Sequence, residues 1–171
     1  HQHAKTLVAQ SMAHSRLLHH SALWYGYTSK VFKKAAYTYI HMLRIACDKV
    51  NNSIKQISDA DFLRQFKFLD LSTKLRVIRL RYFKRLVKSA PCGLLNIIHN
   101  EYIAFKNQSW LATIYADLDW LRDLLPITIG PPVDCVDEWR EFLSSTRFDA
   151  ILSSAAAFHI VSLESGPKPT I

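Results

Sequence analysis

The sequence predicts an all-α fold, an irregular bundle of seven or eight helices. Three observations point there: only four glycines in 171 residues, prolines confined to the second half, and apolar residues recurring three and four positions apart along almost the whole chain. A chain of this length buries roughly 70% of its unfolded surface, enough for one ordinary core without disulfides or metal. Charged residues at 21% and aromatics at 12% sit near globular averages, which excludes a disordered tail, a collagen-like rod or a coiled coil.

The elements follow from the pattern. A first helix is expected over about 4–24, with Leu7, Val8, Met12, Leu18 and Ala22 inward and an end near Gly26. A second covers about 29–50, with Val31, Ala35, Tyr39, Met42 and Ile45 along one face; Asn51, Asn52 and Ser53 then break the period. Ser58 and Asp59 followed by Asp61 make a capped, acidic first turn for a short helix containing Phe62, Leu63, Phe66 and Leu69. Ser72 is the expected cap of a helix over 73–89, where Leu75, Ile78, Tyr82 and Leu86 form a stripe and Lys74, Arg81, Arg85 and Lys88 another face. Pro91 stops that helix and suits the first turn of the next, over 92–105. Ser109 caps a helix carrying Trp110, Leu111, Ile114, Leu118, Leu121 and Leu125, halted by Pro126. Two closing helices over 134–144 and 146–163, then a tail, complete the reading.

Three regions result: 1–126, a basic helical region; 127–133, a Pro/Gly linker around Gly130; and 134–171, a short helical segment and tail packed with the first as one domain. The longest uncharged runs, 17–29 and 150–163, are interrupted by polar residues and never reach eighteen consecutive apolar positions, so no membrane span is expected. No secretory leader pattern is visible, and Cys47, Cys92 and Cys135 are odd in number and widely spaced, which suits a reducing, intracellular setting in nucleus or cytoplasm rather than secretion. The chain opens on His1 instead of Met, and we read it as a piece of a longer reading frame.

Charge is distributed unevenly. Between positions 30 and 90 fifteen basic residues face four acidic ones, whereas from 91 to 171 five basic residues face ten acidic ones. A basic block followed by an acidic one suggests a polyanion-facing part and a scaffold or partner-facing part. The densest cluster is Arg76, Arg79, Arg81, Lys84, Arg85 and Lys88 around Tyr82 and Phe83. Arginine forks and lysine point charges on one helix match the phosphates of a nucleic-acid backbone, and an aromatic among them can stack on a base or pack inward. Lys30, Lys33 and Lys34 extend the same surface if the second helix lies alongside.

Catalytic and metal readings are weak. His1 with His3 and His19 with His20 are close in sequence, yet no HExxH or Cys/His spacing supplies the three or four ligands zinc needs. No metal or cofactor is expected, and His14, His41, His99 and His159 read as partly buried or interfacial imidazoles. A GxSxG elbow is missing, so a hydrolase is not supported. Tyr115-Ala116-Asp117-Leu118-Asp119 superficially resembles the aromatic-x-Asp-Asp box of a polymerase, but its second Asp is displaced by one and the surrounding period is that of a helix rather than a hairpin. Asp117, Asp119 and Asp123 are expected to form the wet side of that helix.

A succession of short motifs carries a resemblance. Ser15-Arg16-Leu17-Leu18 through Leu23-Trp24-Tyr25-Gly26, then Leu43-Arg44, then Ser58-Asp59 with Phe62-Leu63, and finally Arg79-Leu80-Arg81-Tyr82-Phe83 resemble the region just after the polymerase core in LINE-type (non-LTR) retrotransposon reverse transcriptases. Ser109-Trp110-Leu111, Ala116 to Leu121, and Trp139 followed by Phe142 resemble long protist variants, dinoflagellate ones in particular. The similarity spans roughly residues 14 to 145. It implies a thumb or post-thumb helical region that grips RNA or an RNA/DNA hybrid beside the rest of a polymerase polyprotein, whose palm carboxylates would supply the chemistry. This chain alone is then expected to be non-catalytic. Two alternatives stand beside it: a helical scaffold whose acidic half, 101–141, and exposed Trp or Tyr residues engage a protein, and an inert retroelement remnant.

Overall fold

A computed structural model describes residues 17–48 and 57–162, with the isolated positions 4, 7, 8 and 11. Among the described residues there are seven α-helices and no strand. They are α1 (Ser29–Asp48), α2 (Asp59–Gln65), α3 (Leu71–Ser89), α4 (Cys92–Phe105), α5 (Trp110–Leu124), α6 (Val136–Ser144) and α7 (Arg147–Ser162). Single 3-10 turns at Ser21–Leu23 and Lys106–Gln108 precede α1 and α5. None of the described helices is long and apolar enough to cross a membrane.

Local chemistry sets most boundaries. Ser58 caps α2, its Oγ accepting from the Asp61 N–H at 3.1 Å and donating to Asp61 Oδ2 at 2.7 Å. At the other end Lys67 takes a left-handed φ of 55°, and the Phe68 N–H returns to the Leu63 carbonyl at 2.8 Å while the Phe68 ring meets Phe62. The cap of α3 is Asp70, whose Oδ2 accepts from the Thr73 N–H at 3.2 Å; the expected cap, Ser72, already lies inside the helix. Leu71 is then free to bury, which is why the helix begins two residues earlier than the Ser72 pattern implies. Ser109 caps α5 through the Ala112 N–H at 3.2 Å, and Pro91 stands just before α4.

The expected first helix does not run to Trp24. Its span is largely outside the described residues, but 17–20 is a turn and His20 has φ 57°, a left-handed conformation that no helix interior accepts. Leu7 and Val8, expected inward, are exposed, whereas Leu18 is buried. In α1 the buried face is rotated from the expected one. Tyr39, Leu43 and Cys47 are buried with Phe32 and Ala36 half-buried beside them, while Val31 and Ile45 face outward. The breaker 51–53 and the tail lie outside the described residues.

The apolar side chains gather in two cores joined by one helix. The first unites Leu18, Tyr39, Leu43, Cys47, Phe62, Leu63, Phe68, Leu71 and Leu75. The second unites Val77, Leu80 and Phe83 with residues of α5, α6 and α7, including Ile114, Leu118, Trp139, Phe148 and Leu152. Their border falls within α3, between Leu75 and Val77, and not at the Pro/Gly segment. That segment is itself packed: Pro132 is buried, the Trp139 indole N–H donates to the Gly130 carbonyl at 2.9 Å, and any Cβ at position 130 would stand 2.7 Å from Cys135 Sγ.

Because α3 belongs to both cores, they should unfold together. Leu43→Ala in the first core and Leu118→Ala in the second, each at fully buried positions, are expected to cost about 2–5 kcal/mol apiece. Urea denaturation followed by circular dichroism and by tryptophan fluorescence should give one coincident transition in each variant; separate transitions would show independent units.

Candidate nucleic-acid interface

The seven basic side chains of α3 divide by their angle around the helix. At about 100° per residue, Arg81, Arg85 and Lys88 lie within about 60° of one another and nearly opposite Arg79. Burial follows that geometry: Arg79 is 4% exposed, whereas Arg81, Arg85 and Lys88 are exposed.

Arg79 therefore cannot be a phosphate ligand, contrary to the expectation from the sequence. Its Nε and Nη2 donate to Asp117 Oδ2 and Oδ1 at 2.6 and 2.9 Å, a two-pronged ion pair between α3 and α5. Asp117 is correspondingly not on the wet side of α5; it is 2% exposed. Burial pulls the Arg79 guanidinium down, but the hydrogen bonds and charge of Asp117, with a smaller influence from Tyr27, hold it above its ordinary value, so it stays charged. Burial also raises the Asp117 carboxyl, against the opposing pull of Arg79 and then Arg76.

Two more cations of the cluster are engaged within the fold. Arg76 stands 3.9 Å from Asp117 and its guanidinium lies over the Trp120 ring at 5.3 Å. Lys84 bonds Asp149 on α7 at 2.6 Å above the Phe148 ring. Arg81, Arg85 and Lys88 have no carboxylate partner among the described residues. Lys74, on the same side of α3, is lowered by burial and then by the charge of Arg81, a sign of positive potential along that face. Lys30, Lys33 and Lys34 are exposed on the first two turns of α1.

Beside this row the Ser21–Leu23 turn packs on the outer side of α3. A cavity of about 300 Å³ lies between them, lined by His20, Ser21, Ile78, Arg81, Tyr82 and Arg85 among others. A second hollow of about 380 Å³, lined by Trp24, Tyr25, Tyr27, Phe32 and Ala35, shares Leu23 with the first. Sequence reasoning missed both. They form where the turn meets α3 and α1, and no local spacing announces such a meeting.

Other candidates resolve plainly. His41 and His99 are exposed, contrary to the partly buried reading; His14 and the side chain of His159 lie outside the described residues. None of the four tryptophans is exposed, so the aromatic part of the scaffold reading reduces to tyrosines such as Tyr25 and Tyr37. Among the described residues no group of three or more His, Cys, Asp or Glu is arranged to hold a metal ion. Cys47 is buried and Cys92 exposed.

Removing one member of the Arg79–Asp117 pair leaves a buried, uncompensated partner. Arg79→Met or Asp117→Leu is expected to cost about 3–5 kcal/mol, and the two replacements together far less than the sum. A double-mutant cycle in urea checks this, additivity being the result that would refute the coupling. Compared with known proteins, the chain matches no family model, no curated sequence and no solved structure.

Proposed function

We propose that the chain is a non-catalytic nucleic-acid-binding helical module that holds a phosphate backbone along the outer face of α3. The observation that carries this reading is the row Arg81, Arg85 and Lys88: three exposed cations on one helical face, spaced four and three residues apart, with no carboxylate partner among the described residues. Side chains at such spacing are neighbours on a helix surface and repel one another, a cost that a bound polyanion turns into a gain. The division of labour within α3 supports it too. Arg76, Arg79 and Lys84 are consumed by the fold, Lys74 is half-buried, and Arg81, Arg85 and Lys88 are exposed together.

Lys30, Lys33 and Lys34 are weaker contributors from α1. The similarity of the Arg79 to Phe83 segment and its preceding motifs to LINE-type reverse transcriptases favours RNA or an RNA/DNA hybrid as the polyanion, with the rest of a polymerase polyprotein as the natural neighbour. In that setting the module grips and the palm catalyses.

One observation favours a second reading, a helical protein-interaction domain. α4 buries none of its residues fully and presents Leu94, Ile97, Ile103 and Phe105 to solvent. The two readings occupy different helices and are separable by mutation.

With three phosphate contacts, affinity for any nucleic acid should fall about a hundredfold between roughly 50 and roughly 300 mM salt. Replacing Arg81, Arg85 and Lys88 together by Glu should abolish binding in fluorescence anisotropy and leave the thermal midpoint near that of the parent. Binding that survives both the salt and the charge reversal would overturn the proposal.

A further inference from the structure

The geometry points to single-stranded nucleic acid, rather than duplex, as what the two hollows beside α3 receive: one phosphate in the Arg81/Arg85 cavity and an adjoining base in the aromatic hollow next to it. This deepens the reading of α3 as a backbone-binding face and rests on it, selecting a single strand over the RNA/DNA hybrid, which is itself a duplex.

The first cavity is built for an anion. Arg81 and Arg85 line it, four residues apart, and no acidic side chain among the described residues does. His20 and Tyr82 also line it. Ser21 also lines it, is fully buried, and its hydroxyl has no hydrogen-bond partner among the described residues. A buried hydroxyl left without a partner costs free energy, and this one belongs to a residue on the cavity wall. A volume of about 300 Å³ sits at the small end of ligand-holding cavities, which run from about 300 to 1,000 Å³, and suits one phosphate with its sugar.

The turn that bears Leu23, the residue both hollows share, is fixed. The Trp110 indole N–H donates to the Ala22 carbonyl at 2.8 Å, and Tyr82 meets the Trp110 ring edge-on at 6.1 Å, so turn, α3 and α5 are held together around the opening. The Ser21 N–H and carbonyl are bonded within the turn, to the Leu18 carbonyl and the Trp24 N–H. The second hollow is nearly all apolar, with Trp24, Tyr25 and Tyr27 on its walls and Tyr27 stacked on Phe32 at 5.5 Å. Tyr25 and Tyr27 remain 41% and 38% exposed, leaving ring surface for an unstacked base. A base already stacked in a duplex has no free face to offer such a hollow, and a single strand does.

The test uses anisotropy with a labelled single strand of about 12 nucleotides and with the duplex of the same sequence, on the whole chain. The parent should favour the single strand by about tenfold or more, and Tyr25→Ala should weaken it by about five- to a hundredfold while leaving duplex affinity unchanged. Tyr25→Phe, which keeps the ring, should retain parental binding. Arg81→Gln should weaken both ligands. Thermal unfolding of each variant identifies any that fail to fold, and Tyr25→Leu replaces Tyr25→Ala in that case, keeping bulk without a π-face. Salt-sensitive binding with no preference for the single strand, or equal losses for both ligands in Tyr25→Ala, overturns this inference and leaves the backbone-binding proposal standing. No binding of either ligand at low salt overturns both.

Discussion

The ion pair between Arg79 and Asp117 sets how α3 is turned. Two charges removed from water must face each other with good geometry, because either one alone would be penalised by several kcal/mol. Any rotation of α3 that moved Arg79 away from α5 would strand both groups, so one orientation of the helix is selected over its neighbours. Once that angle is set, Leu75 and Leu71 meet α1 and α2, Val77, Leu80 and Phe83 meet the C-terminal helices, and Arg81, Arg85 and Lys88 are left on the far side. The basic row is thus a consequence of a buried charge as much as of its own composition.

The turn that precedes α1 depends on the same placement. Ala22 is held by the Trp110 side chain, and Trp110 packs against Tyr82 and Phe83, the two aromatics embedded in the basic segment. Residues that alternate with arginines in sequence therefore act from the inner side, tying α3 to α5 and to the turn. An aromatic among cations reads equally well as a stacking platform or as core; here Phe83 is core and Tyr82 is shared between packing and the cavity wall.

Much of the fold was legible in the sequence because local chemistry determines it. Pro91, Ser109 and Pro126 marked α4 and α5 within a residue or two, and Ser58 marked α2, since caps and breakers act over three or four positions. Two local signals competed at the start of α3, and the carboxylate of Asp70 prevailed over the hydroxyl of Ser72. The end of the first expected helix failed for a different reason: the left-handed residue is His20, which carries no glycine-like signature. The site was legible only in part. Periodicity grouped Lys74, Arg81, Arg85 and Lys88 correctly on one face, yet the partner of Arg79 lies 38 residues away, a separation at which spacing carries no information. Asp117 was misassigned for the same cause, as a carboxylate on an otherwise amphipathic helix is ordinarily its wet side.

α4 carries a consequence of its own. It touches the second core only through half-buried side chains such as Ile98 and Tyr102, and contributes no fully buried group. Opening α4 locally is accordingly expected to cost less free energy than opening the whole chain. The chain thus joins a deeply packed block that fixes the basic face to a helix that commits only half-buried side chains to it.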